Sequence, residues 1–189
     1  MDARPDGALR LFFGVPLAPE ARRRLADAGR RLAASGWRPA DEVALHVTLR
    51  FLGDTAAALL PDLAAATRTA AAAEEPFDVH LVSLAGIPDA RRARVAAARA
   101  EEGAGQLRRL AAAVAEALRP LGIAPERRPF LAHVTVARSG AVERPLRPLP
   151  LDVSFRAERL VLWQSRLARP HAVYEAWAEA PLGAGRPPA

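Results

Sequence analysis

The chain has 189 residues, 51% of them hydrophobic and 25% charged, a composition that suits a globular protein with its own core and excludes a disordered or fibrous one. It has no cysteine, which excludes disulfides, thiolate nucleophiles and cysteine-ligated metal centres. A formal charge of +6 favours polyanionic partners, nucleic acid among them, although all 27 basic residues are arginine, a bias that reads as nucleotide composition of the coding sequence rather than selection at each site.

Residues 9–15 (Leu-Arg-Leu-Phe-Phe-Gly-Val) read as a first strand closed by Pro16, and Pro19 opens a helix to about residue 35 with an arginine-rich outer face. A second strand follows from Ala44 and ends at Gly53-Asp54, with Thr55 as the N-cap of an alanine-rich helix to about residue 73. Residues 77–82 alternate as a strand, residues 86–89 form a loop, 94–98 a weak strand, and 105–118 a helix stopped by Pro120. Residues 130–138 form another strand, 140–150 a proline-rich surface loop, and 151–167 and 172–178 two final strands. Strands and helices alternate early and strands follow one another late, which argues for an α+β architecture. No apolar run of about 18 residues occurs and no secretory signal pattern opens the chain, so the expected setting is the cytoplasm, away from membrane.

Two segments dominate this pattern: Leu45-His46-Val47-Thr48-Leu49-Arg50-Phe51 and Ala132-His133-Val134-Thr135-Val136-Ala137-Arg138. Side chains alternate across a strand, so His46 and Thr48 share one face and Val47, Leu49 and Phe51 the other; His133 and Thr135 repeat the arrangement. The chain has only four histidines and five threonines, which makes the duplication improbable by chance. Strict alternation puts Arg50 on the His46 face, within reach of a bound phosphate, and puts Arg138 out of phase with His133 unless a bulge intervenes. The motifs lie 87 positions apart, a spacing that fits two similar lobes each supplying one strand to a shared cleft.

Imidazole titrates near pH 6.5, so one copy can accept a proton while another donates one. Cleavage of a phosphodiester needs both transfers, on opposite sides of phosphorus, and each positioned transfer contributes roughly 10² to 10⁴-fold. Threonine hydroxyls on the same faces can hold the non-bridging oxygens. The sequence thus points to catalysis by His46 and His133, with Thr48, Thr135, Arg50 and Arg138 as phosphate or substrate contacts.

These residues resemble the two-histidine phosphoesterases, and specifically the RNA 2′,3′-cyclic phosphodiesterases also called 2′-5′ RNA ligases. The resemblance rests on Arg10-Leu11-Phe12-Phe13, on His46-Val47-Thr48-Leu49-Arg50-Phe51-Leu52-Gly53, on Arg128-Pro129-Phe130 leading into His133-Val134-Thr135-Val136-Ala137-Arg138, and on Leu162, Ser165 and Tyr174. It departs at Ala97, where relatives often carry tryptophan, and at Leu131-Ala132. The resemblance implies an α+β fold of two pseudo-symmetric lobes, mixed or antiparallel sheet with outer helices around a central cleft; residues 1–182 are expected to form this one domain, and residues 183–189 read as a frayed, flexible tail. It implies His46 as proton donor to the leaving oxygen, His133 as proton acceptor from water, and Thr48 and Thr135 as phosphate ligands. The implied reaction opens an RNA 2′,3′-cyclic phosphate to a 2′-phosphomonoester without metal or other cofactor, and with an RNA 5′-hydroxyl replacing water the same chemistry gives 2′-5′ ligation; the expected state is a monomer.

Other readings compete. Strand histidines and threonines can be ordinary packing residues, and two histidines could belong to a metal site, although no His-x-His pair or adjacent carboxylate completes one. His80 and His171 read as solvated, and Phe12, Phe13 and Trp163 as core or as base-stacking surfaces. Arg22-Arg23-Arg24 and Arg91-Arg92 read as solvated faces able to guide RNA. A non-catalytic RNA or nucleotide-binding module, and a phosphodiesterase for another cyclic or 2′-5′ linked nucleotide, are the alternative functions.

Overall fold

A computed structural model describes residues 7–166 and 172–184. Its strands are β1 (Ala8–Pro16), β2 (Arg38–Pro39), β3 (His46–Ala56), β4 (Phe77–Ile87), β5 (Val95–Ala100), β6 (His133–Arg138), β7 (Leu149–Ala157), β8 (Arg159–Arg166) and β9 (Val173–Pro181). Three helices accompany them, α1 (Pro19–Arg31), α2 (Leu60–Ala71) and α3 (Ala104–Leu118). Every pairing between the strands is antiparallel, in the order β7-β4-β5-β6-β3-β1-β8-β9, with β2 added to β6.

The sheet is two four-stranded halves joined at one place. Between β3 and β6 the ladder consists of a single pair, Val47 with Val134. Both valines are fully buried in the core. On either side of that joint the order runs outward as β3-β1-β8-β9 and as β6-β5-β4-β7, which puts a pseudo-two-fold axis through the centres of the two His-Val-Thr tripeptides.

Helix α1 starts at Pro19, whose fixed φ suits the first helical turn, and buries Ala21, Leu25, Ala26 and Gly29. It packs against β2, β6 and β7. Gly29 is required for that approach, because a Cβ there would lie 2.5 Å from the carbonyl oxygen of Val136. Helix α3 buries Leu107, Leu110, Val114 and Leu118, a stripe at helical spacing, and packs on α2 and β3, while α2 also covers β8 and β9. Among the described residues no helix is long and apolar enough to cross a membrane.

Three expectations need correction. Thr55 is not an N-cap: it lies inside β3, buried, paired with Leu9, and its hydroxyl bonds the Gly53 carbonyl. Residues 151–167 are not one strand, because the chain leaves β7 at Ala157 and enters β8 at Arg159, and the two strands belong to opposite halves of the sheet. Gly183, read as part of a frayed tail, is tied down by its N–H to the Ala71 carbonyl at 3.1 Å; residues 185–189 and His171 lie outside the described residues.

Candidate active site

Because β3 and β6 run antiparallel through the Val47–Val134 pair, the flanking residues meet crosswise: His46 stands opposite Thr135, and Thr48 opposite His133. With both valines turned into the core, these four side chains share the other face and line one cavity together with Ala40, Ala44, Phe51, Arg138 and Tyr174. The motif residues read from the sequence are therefore brought to one place by one register.

Each imidazole is fixed in the same way. His46 donates Nδ1–H to the Ala44 carbonyl at 2.7 Å, and His133 donates Nδ1–H to the Leu131 carbonyl at 2.8 Å. A carbonyl oxygen can only accept, so both rings hold the Nδ1–H tautomer and keep Nε2 for the cleft. Nε2 of the neutral His46 ring accepts from the Thr48 hydroxyl at 2.9 Å. Burial pushes the His46 pKa down to about 4, with His133 and Arg138 acting in the same direction. Burial also lowers His133, where Arg99 and Arg138 add to the effect.

Bulges decide which other residues reach the cleft. On β3 the partners jump from Gly14–Thr48 to Phe13–Arg50, leaving Leu49 as an extra residue, and on β6 from Ala97–Thr135 to Ala96–Ala137, leaving Val136 extra. The residues five places after each histidine, Phe51 and Arg138, are thereby turned onto the site face. Phe51, which alternation assigned to the face of Val47, is half exposed at the cleft instead. Arg138 enters through the bulge its position required. Arg50 does not: its side chain is 11% exposed, bonds the Ala124 carbonyl and stands 3.6 Å from Glu126, away from the lining of the cleft. The β6 bulge is held by Ala40, whose N–H donates to the Val136 carbonyl at 2.8 Å.

The surroundings of the two histidines differ. His46 sits among aromatic rings, with centroid distances of 4.8 Å to Phe12, 5.4 Å to Trp163 and 5.2 Å to Tyr174, the last edge-on. Gly14 makes room for Trp163, since a Cβ there would come within 3.0 Å of the indole and 2.4 Å of the Val47 carbonyl. Phe12 therefore forms a wall beneath the site while Phe13 belongs to the core. His133 has Arg99 directly across the β5–β6 ladder. Sequence reading missed Arg99; its signal was a single arginine in an otherwise apolar strand. Ala97 is fully buried opposite Thr135. His80 lies elsewhere, on β4, with Nε2 2.9 Å from Asp152. Among the described residues no group of three or more His, Asp or Glu side chains is placed to hold a metal ion.

Two antiparallel half-sheets meeting at a pair of imidazoles define an α+β protein of two lobes with a two-histidine cleft between them. The family model for the 2′-5′ RNA ligase superfamily matches residues 15–169. The RNA 2′,3′-cyclic phosphodiesterase of Geobacillus stearothermophilus is 31% identical over 183 residues, covering 90% of this chain and 56% of the relative, so the chain spans little more than half of that protein's length. The RNA 2′,3′-cyclic phosphodiesterase of Thermus thermophilus is 33% identical over 171 residues, covering 88% of this chain and 86% of the relative. The crystal structure of the Thermus thermophilus protein TT0787 superimposes with a TM-score of 0.84 at 30% identity, covering 94% of this chain and all of that one. The chain belongs to the 2′-5′ RNA ligase superfamily.

Proposed function

We propose that the protein hydrolyses RNA 2′,3′-cyclic phosphate ends to 2′-phosphomonoesters by acid–base catalysis between His46 and His133, without a metal. The observation that carries this reading is the matched pinning of both imidazoles, each by Nδ1–H to a carbonyl two residues back, which leaves two Nε2 atoms for one cleft. The names of the two relatives, both RNA 2′,3′-cyclic phosphodiesterases, support the substrate class.

Before an anion enters, both rings are neutral at pH 7. A phosphodiester anion between them favours imidazolium, and the site takes up a proton. His46 holds that proton on Nε2. Burial first, and then Arg99 across the ladder and Arg138, favour the neutral form of His133, which suits an acceptor. His133 Nε2 then takes a proton from water as its oxygen bonds to phosphorus, the P–O3′ bond breaks, and His46 Nε2–H protonates the departing 3′ oxygen. Thr48, freed from His46, and Thr135 donate to the non-bridging oxygens, with Arg138 balancing their charge. Run in the same direction with an RNA 5′-hydroxyl in place of water, the same transfers join ends through a 2′-5′ linkage, the P–O3′ bond again breaking as the P–O5′ bond forms.

The test is incubation with a short RNA ending in 2′,3′-cyclic phosphate, in excess EDTA. A 2′-phosphate product is expected. A 3′-phosphate would reverse the leaving group, loss of activity in EDTA would overturn the metal-free mechanism, and bound but intact RNA would replace the enzyme with a binding module.

A further inference from the structure

The cleft does not end at His46. A cavity of about 230 Å³ continues past it along β8 and β9, lined by His46, Trp163 and Tyr174 at one end and by Arg22 and Arg159 at the other. Between these ends its wall is apolar, formed by Val43, Leu45, Val161 and Ala176. Imidazole, then an aromatic and apolar stretch, then guanidinium groups is the order of chemistry along a nucleotide that carries phosphate on both its 3′ and its 5′ side.

The arginine end has features that a solvated face lacks. Arg22, unlike its neighbours Arg23 and Arg24, is partly buried, and its Nε is shielded from solvent with no hydrogen-bond partner among the described residues. Arg159 is half exposed, with Nε 3.6 Å from Glu179, too long for a hydrogen bond. Glu179 also lines the cavity, and Glu158 lines the next. That next cavity is again about 230 Å³, shares Pro16, Arg22 and Arg159, and extends past Arg156 and the start of α1. The path therefore continues beyond the arginine pair, as a chain longer than one nucleotide needs.

We propose that Arg22 and Arg159 bind the phosphodiester on the 5′ side of the terminal nucleotide, so that the protein selects RNA chain ends over cyclic mononucleosides. The proposal rests on the reaction proposed above. It is tested with a nucleoside 2′,3′-cyclic phosphate and the same compound bearing a 5′-phosphate, taking the ratio of their kcat/KM values. The parent protein is expected to favour the 5′-phosphorylated compound by about tenfold or more, the effect of one charge-assisted contact. The ratio is expected to fall toward one in Arg22→Gln and in Arg159→Gln. Arg159 is the more exposed and provides the variant that spares the packing of α1. A ratio of one in the parent, or a parental ratio that survives in both variants, would overturn the inference while leaving the proposed reaction standing. Hydrolysis of neither compound, nor of cyclic-phosphate RNA, would overturn both.

Discussion

The two halves of the site share a plan and differ in filling. On β3 and on β6 alike, a histidine is pinned to a carbonyl two residues back, a threonine follows two places on, and a bulge brings the residue five places on to the cleft. That residue is Phe51 in one half and Arg138 in the other. His46 accordingly lies among Phe12, Trp163 and Tyr174, whereas His133 faces Arg99. The duplicated backbone supplies two equivalently held imidazoles, and the unequal side chains give them different surroundings. In the proposed reaction the aromatic half would take the nucleoside and the cationic half the phosphate charge and the base.

Removing either member of the shared plan should have the largest effect. His46→Ala and His133→Ala are each expected to lower kcat roughly 10² to 10⁴-fold, and the double variant to lose far less than the product of the two, since the rings act as one unit. Steady-state rates on cyclic-phosphate RNA, with circular dichroism to verify folding, check this.

The second prediction uses burial of the aromatic half. With the folded-state pKa of His46 near 4 and the unfolded value near 6.5, the unfolded chain binds more protons throughout that interval. Stability is therefore fully present above about pH 6.5 and declines as pH falls toward 4. From pH 7 to pH 4.5, His46 should account for a loss of about 2 kcal/mol. Urea unfolding at both pH values reads this, and His46→Gln should show a correspondingly smaller loss than the parent. Saturating phosphate should oppose the loss, because an anion favours the protonated ring.

The third prediction separates the two arginines that followed the motifs in sequence. Arg138→Gln should raise KM about tenfold, whereas Arg50→Gln should leave KM within about twofold and instead lower stability by roughly 1–3 kcal/mol, because the Ala124 carbonyl and Glu126 lose their partner. Equal effects on KM would remove the distinction drawn between the two halves.

That distinction also marks what the sequence could tell. Alternation within His-Val-Thr is local, so the shared face of His46 and Thr48, and of His133 and Thr135, was legible. The fate of Arg50, Phe51 and Arg138 turned on the extra residues Leu49 and Val136, and a bulge leaves no mark in a run of apolar side chains. At Ala157-Glu158-Arg159 the chain passes from one half of the sheet to the other with no glycine or proline to announce it. Arg99 and the Arg22–Arg159 pair depend on strand order and helix packing, which are long-range properties. The α+β class and the two lobes were legible from element order and motif duplication, and the sheet proved antiparallel throughout its described pairings.

If His133 takes a proton and His46 gives one, the pH dependence of kcat/KM on cyclic-phosphate RNA must differ among the parent, His46→Ala and His133→Ala. A bell is expected in the parent, with loss of the alkaline limb in His46→Ala, where the acid is gone, and loss of the acidic limb in His133→Ala, where the base is gone. A bell that keeps both limbs in either variant, at near-parental rate, would contradict these roles.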